Sequence, residues 1–200
     1  MEQEIEQEMI MRHIEKAGRV CYKSENKISE ESADKFIRSI LQRGHESVIE
    51  HFSITFKIIC DRGVSHEIVR HRIASYSQES TRYCNYADDK FGNELTFIKP
   101  CFWNEETDSY RIWEESMKVI ENNYFLLMQQ KASPQEARSI LPNSLKTEIY
   151  VTMNLREWRH FLKLRTGSSA HPQMRQVALM IYDVLAEKLP VLFEDIQVNR

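Results

Sequence analysis

The sequence predicts an α+β fold, one domain of mixed helices around a small, mostly antiparallel sheet. Three observations carry that expectation. Segments with helical spacing and segments that alternate with a period of two follow one another irregularly, not in the strict strand–helix repeat of a doubly wound sheet. No G-x-G-x-x-G and no P-loop occurs, so a dinucleotide would not be held on a Rossmann crossover. The 200 residues include only five glycines and five prolines, with no low-complexity linker and no repeat, so residues 1–200 are expected to form a single domain.

Taken in order, Ile5, Met9, Ile10, Ile14 and Ala17 recur at helical spacing up to Val20. Ser29 reads as the N-cap of a second helix through Phe36, Ile37, Ile40 and Leu41, ending at Gly44. Phe52, Ile54, Phe56, Ile58 and Cys60 alternate with mostly polar neighbours and give the strongest strand signal in the chain. Gly63 breaks that strand, and Ser65 is placed to cap a short helix through Arg70. Residues 75–85 are expected to be irregular or extended, and Leu95 to Ile98 to form a short strand before Pro100. Glu105 to Lys131 reads as a long helix with Trp113, Met117, Ile120, Tyr124 and Leu127 on one face. Ser133-Pro134-Gln135-Glu136 opens another helix, with a cap, a proline at the first helical position and a glutamate two positions on. That helix carries Arg138 and stops near Pro142. Leu145 to Met153 alternates as a strand, Leu155 to Leu164 is an amphipathic helix, and His171-Pro172 begins a last helix through Leu189.

The bulk properties narrow the function. No apolar run approaches the roughly 20 residues that span a bilayer. Met1 to Glu8 is acidic and lacks the basic-then-apolar form of a secretory signal. Cys21, Cys60, Cys84 and Cys101 are widely spaced, with no C-x-x-C pair. A cytoplasmic protein with free thiols, and with no membrane partner, is the expectation. A net charge of −3 argues against a general nucleic-acid binder. The positive charge is local, at Arg70, Arg72 and Arg82 and again from Arg156 to Arg165, which suits a small anion better than a long polyanion.

The densest chemistry lies in Arg70-His71-Arg72, followed after seven residues by Ser80-Thr81-Arg82-Tyr83. Arginine forks match phosphate or carboxylate and hydroxyls complete such sites, but a basic run is equally a solvated helix end. His66-Glu67 and His71 do not form a zinc-binding H-E-x-x-H, because the second histidine stands at i+5, off the helix face that i+4 would share; no metal site is expected. Ser80 lacks the setting of a nucleophile and reads as a phosphate-binding or capping hydroxyl. Gly44-His45-Glu46-Ser47-Val48-Ile49-Glu50-His51 is by itself a helix end and turn. Ala137-Arg138-Ser139-Ile140-Leu141-Pro142 is by itself a surface arginine on a helix that ends at proline. In the segment Asn154 to Arg165 the apolar stripe Leu155, Trp158, Phe161 and Leu162 is core, which leaves the polar stripe to explain.

These four segments, in this order, resemble the motifs of the flavin-dependent thymidylate synthases, the ThyX family. The matches are G-H-E-[ST]-x-x-E-H, R-H-R-x7-S, A-R-x-x-L-P and N-x-R-x-x-x-[NH]-F-x-x-x-R. The resemblance implies a ThyX-like fold and conversion of dUMP to dTMP. Methylenetetrahydrofolate would be the one-carbon donor, and FAD reduced by NADPH the hydride source. It assigns His45, Ser47, Arg70, His71, Arg72, Gln78, Asn154, Arg156 and His160 to FAD. It assigns Glu67, Arg70, Gln78, Glu79, Ser80, Arg82, Arg138 and Arg165 to dUMP, with Arg70 to Arg72 between flavin and nucleotide. Arg165 is the catalytic candidate, a fixed cation that favours charge developing at N3 or O2 of the pyrimidine. A homotetramer with active sites shared between subunits is implied as well. Glu67 and Gln78 depart from the glutamine and glutamate that many members carry there, and the segment after Arg165 is longer than in some. The alternative from another class is a protein that binds RNA or free nucleotide through the same arginines without chemistry; it predicts no tightly bound flavin and a strong salt dependence.

Overall fold

The structure is a computed structural model, and it describes residues 5–88 and 92–198. It is α+β, as expected, with an open three-stranded antiparallel sheet in the order β1-β3-β2. β1 is Ser53–Asp61, β2 is Ser75–Gln78 and β3 is Lys146–Asn154. Burial alternates along the central strand, where Thr147, Ile149, Val151 and Met153 are buried and their neighbours are half-exposed. This is the period-two pattern of a strand with one covered face.

By its contacts the chain resolves into two compact units, residues 1–57, 71–75 and 151–200 in the first and residues 58–70 and 76–150 in the second. The first is helical. It holds α1 (Gln7–Val20), α2 (Ser32–Gln42), a 3-10 segment over Glu46–His51, α6 (Leu155–Arg165), α7 (Pro172–Lys188) and α8 (Pro190–Phe193). Its core joins Ile10 and Ile14 of α1, Ile37 of α2, Trp158 and Phe161 of α6, and Leu185 of α7, all buried. α1 and α2 approach closely at Gly18, where a Cβ would fall 2.5 Å from the Phe36 ring. Trp158 donates its indole N–H to the Ile54 carbonyl at 3.0 Å, so the largest core side chain leaves no polar atom unsatisfied.

The second unit contains α3 (Arg62–Ile68), α4 (Asp108–Gln129) and α5 (Pro134–Ala137). Its core is Tyr86, Leu95, Tyr124, Ala137 and Leu145. The expected stripe of α4 is the covered one, with Met117 and Tyr124 buried and Trp113, Ile120 and Leu127 half-buried.

Several boundaries differ from the sequence reading. α2 begins at Ser32, not beside Ser29: the Ser32 hydroxyl accepts from Ser29 N and donates to Ser29 O, closing a turn ahead of the helix. The cap of α3 is Asp61, whose carboxylate accepts from Val64 N at 2.7 Å, while Ser65 is buried inside the helix and donates to Arg62 O. An ionised carboxylate is the stronger partner for the free N–H groups of a helix start. Residues 95–98 contribute a single antiparallel bridge, Phe97 to Leu145, and not a strand. Arg138 follows α5 as the first residue of a 3-10 turn over Arg138–Ile140. The last helix stops at Lys188, and Pro190 starts α8. In the loop from Asp88 to Asn93, residues 89–91 lie outside the described residues.

Candidate functional site

The residues singled out by the sequence divide between the two units. His45, Ser47, His71, Arg72, Asn154, Arg156, His160 and Arg165 belong to the first, and Glu67, Arg70, Gln78, Glu79, Ser80, Arg82 and Arg138 to the second.

In the first unit, His45 is set by the end of α2. Gly44 takes the left-handed conformation at φ 72°, its N–H bonds to Leu41 O at 3.0 Å and the His45 N–H to Ile40 O at 2.9 Å. This paired closure satisfies the last carbonyls of the helix and turns the chain sharply. His45 and Ser47 are thereby left exposed on the wall of a cleft of about 900 Å³. Lys27, Lys35, Arg43 and Arg156 line the same cleft. Arg156 is engaged with Glu50 at 2.6 Å, whereas no carboxylate among the described residues pairs with Lys27, Lys35 or Arg43. Three unneutralised cations beside a hydroxyl and an imidazole make the cleft suited to an anionic ligand.

A second cleft, about 460 Å³, is lined by Asn154, Arg156, Glu157 and His160, with the exposed side chain of Ile73 at its edge. Asn154 has a structural task too, because its side-chain oxygen caps α6 by accepting from Glu157 N at 2.9 Å. Glu46 ties the 3-10 segment to α6, with Arg159 Nε at 3.5 Å, Lys163 at 3.6 Å and Arg156 at 3.8 Å. Behind this cleft His71 is buried, with its ring against Phe161 and His160. Its Nδ1 lies 3.2 Å from Glu157 Oε1, and its Nε2 accepts from Arg165 Nε at 3.1 Å. His71, Glu157 and His160 also bring three ligand-type atoms within 4.8 Å of one another. An ion there would compete with Arg165 and Glu157 for the two ring nitrogens. Burial is the largest influence on His71 and holds its pKa below the usual histidine value; Arg165 and His160 act in the same direction, against Glu157.

In the second unit, Gln78 donates its amide to Ser65 Oγ at 2.9 Å and Thr147 Oγ1 at 3.2 Å. Glu79 accepts from the Tyr86 hydroxyl at 2.9 Å and pairs with Lys146 at 3.4 Å. The Ser80 hydroxyl accepts from Arg82 N at 3.3 Å in a tight turn, and the exposed Arg82 lies over the Tyr83 ring. Arg70 and Arg138 are exposed, and no carboxylate among the described residues pairs with Arg70, Arg82 or Arg138. Glu67 is half-buried at the end of α3.

A profile described as "Thymidylate synthase complementing protein", Thy1, matches residues 6–191. The chain belongs to the Thy1 family of flavin-dependent thymidylate synthases. A curated flavin-dependent thymidylate synthase of Pyrococcus furiosus is 38% identical over 172 residues, covering 86% of this chain and 70% of the relative. Those of Geobacter sulfurreducens and Corynebacterium aurimucosum are 35% and 34% identical and are matched over 78% and 80% of their own lengths. For this member of the flavin-dependent thymidylate synthase family, the sequence reading passed over Glu157, and Lys27, Lys35 and Arg43. A lone acidic residue on an amphipathic helix and scattered surface cations carry no spacing signal. Only the packing of α1, α2 and α6 shows what they face.

Proposed function

We propose that the chain is a thymidylate synthase that converts dUMP to dTMP, taking the one-carbon unit from methylenetetrahydrofolate and using FAD reduced by NADPH. The observation that carries this reading is the cleft bearing His45 and Ser47, where Lys27, Lys35 and Arg43 remain without acidic partners. Its charge and size fit the pyrophosphate of a dinucleotide. His45 and Ser47 would hold FAD there, with Asn154, Arg156 and His160 along the adjoining cleft and Arg70, His71, Arg72 and Gln78 as further contacts. Reduced FAD, when bound, supplies the hydride that completes the new methyl group; the protein supplies placement and electrostatics.

Arg82 and Arg138 would clamp the dUMP phosphate with help from Ser80, while Glu67, Arg70, Gln78 and Glu79 complete the nucleotide site. Arg165 would stand against the pyrimidine and stabilise negative charge at N3 or O2, which makes C5 more nucleophilic towards the methylene group. Once that bond has formed, the C5 proton would pass to water and the bond from the methylene carbon to the folate nitrogen would break, with tetrahydrofolate as the leaving group. Residues 1–200 would act as one domain, in a cytoplasmic homotetramer with active sites shared between subunits. Among the described residues no helix is long and apolar enough to cross a membrane.

The visible spectrum of the purified protein tests this reading. A flavin spectrum that bleaches on addition of NADPH with dUMP present is expected, followed by dTMP formation when methylenetetrahydrofolate is added. A protein that contains no flavin and retains none after incubation with FAD overturns it and leaves the arginines as simple anion binders.

A further inference from the structure

Glu157 belongs to none of the motif positions, yet it is buried in the first unit. Its carboxylate faces Nδ1 of His71, and the opposite nitrogen of the same ring faces Nε of Arg165. A guanidinium has donors and no acceptor, so the ring nitrogen that meets it must be bare. A neutral imidazole with a bare Nε2 carries its proton on Nδ1, and that proton needs an acceptor in a buried place. Glu157 is that acceptor. Phe161 and His160 pack against the ring, with centroids 4.9 and 5.7 Å away, and oppose a ring flip that would exchange the two nitrogens.

We infer that Glu157 is a positioning residue, which fixes the His71 tautomer and through it the direction of the Arg165 guanidinium. This rests on the reading of Arg165 as the cation beside the pyrimidine. Without a fixed acceptor at Nδ1, the Nε2–H tautomer becomes populated and points a donor at a donor, and the Arg165 Nε–H loses its acceptor on the ring. Protonation of His71 has the same effect. Among the described residues, the charged and titratable groups with the largest effect on His71 are Glu157, His160 and Arg165, all on α6. Burial, Arg165 and His160 keep the ring neutral, while Glu157 alone favours the imidazolium. The arrangement is thus intact at neutral pH and fails as pH falls through the His71 pKa.

Nitrogen-15 NMR of histidine-labelled, FAD-loaded protein tests the inference apart from turnover. In the unaltered protein His71 is expected to show a protonated Nδ1 and a bare Nε2; the reverse tautomer overturns the proposal without any variant. Glu157→Gln keeps an acceptor oxygen, so it should preserve the tautomer and retain kcat within about threefold. Because it removes the charge that favours the imidazolium, its acid limb of kcat should lie at lower pH. Glu157→Leu should mix the tautomers and lower kcat at least tenfold. Equal losses in a folded Gln and a folded Leu variant, or an unchanged tautomer in Leu, overturn the inference. A correct tautomer in a protein that never forms dTMP indicts the reaction instead, so the two failures are distinguishable.

Discussion

At the scale of single residues, side chains that the motifs put forward for binding often have a second, structural employment. Gln78 is put forward for both flavin and nucleotide, and here its amide donates to two buried hydroxyls, Ser65 and Thr147. A glutamate in its place would need both hydroxyls to donate, and Ser65 could do so only by giving up its bond to the Arg62 carbonyl. Gln78→Glu is therefore expected to cost about 1 kcal/mol, and Gln78→Ala, which leaves Ser65 its bond to the Arg62 carbonyl but takes away the amide donor to Thr147, should cost about 1–2 kcal/mol in urea unfolding. Cys60 is another case. Burial and the neighbouring Asp61 push its thiol up to about 12, so it has little thiolate at neutral pH. A thiol reagent should modify the exposed Cys21 and Cys101 quickly in the native protein and reach Cys60 only on unfolding. Fast labelling of Cys60 under native conditions would contradict this. Arg165→Lys keeps the charge but loses the planar fork, and a fall in kcat of at least tenfold with flavin content unchanged is expected.

At the scale of elements, the ends of helices set the clefts. Asn154 closes β3 and caps α6, so it places the residues after it as well as lying in the cleft itself. Asn154→Ala should cost about 1 kcal/mol from the lost cap alone, and Asn154→Asp, which keeps an acceptor, should restore stability without restoring flavin affinity if the amide also binds the cofactor. The end of α2 works in a similar way. Gly44 holds φ 72° with open space around its Cβ position, so Gly44→Ala would incur only the backbone strain, about 1–2 kcal/mol, and should weaken flavin retention by misplacing His45. Titration of FAD against the three variants separates these effects from global unfolding.

At the scale of the whole molecule, the C-terminal segment is joined to α6 by charge. Arg159 is buried, reaches the Leu192 carbonyl, and meets Asp195 through two hydrogen bonds of 2.6 Å each. The guanidinium holds the Asp195 carboxyl below its ordinary pKa. A depressed carboxylate contributes stability that is complete above its unfolded value, about 3.9, and is lost as pH falls through the folded one. Asp195→Asn should therefore destabilise by about 1–2 kcal/mol near neutrality, less than for a fully buried pair because Asp195 is half exposed. The difference from the unaltered protein should shrink in strong acid. A constant difference across that range would show that the pair is not responsible. The proposed assembly has its own test. Arg138→Ala and His45→Ala subunits, each inactive alone, should recover part of the activity when mixed tetramers form, and no recovery in verified mixed tetramers would refute shared sites.

The sequence by itself determined the periodic elements and the motif order. The alternation of Ile54 to Cys60 and of Leu145 to Met153, the stripe of α4 and the capping box at Ser133 are local patterns, and each appears where its spacing puts it. The four motif segments are likewise linear, and they identify the family. Ser29 and Ser65 do not start their helices: Ser29 lies in a turn closed by the Ser32 hydroxyl, and ahead of α3 the acceptor that caps the helix is Asp61. Tertiary structure alone decided that Lys27, Lys35 and Arg43 keep their charges unpaired beside His45, and that Glu157, 86 residues from His71 in sequence, meets it across a buried ring. The physical reason is range: periodicity and capping are set by neighbours a few residues apart, whereas the state of a charge or a tautomer is set by whatever the fold packs against it.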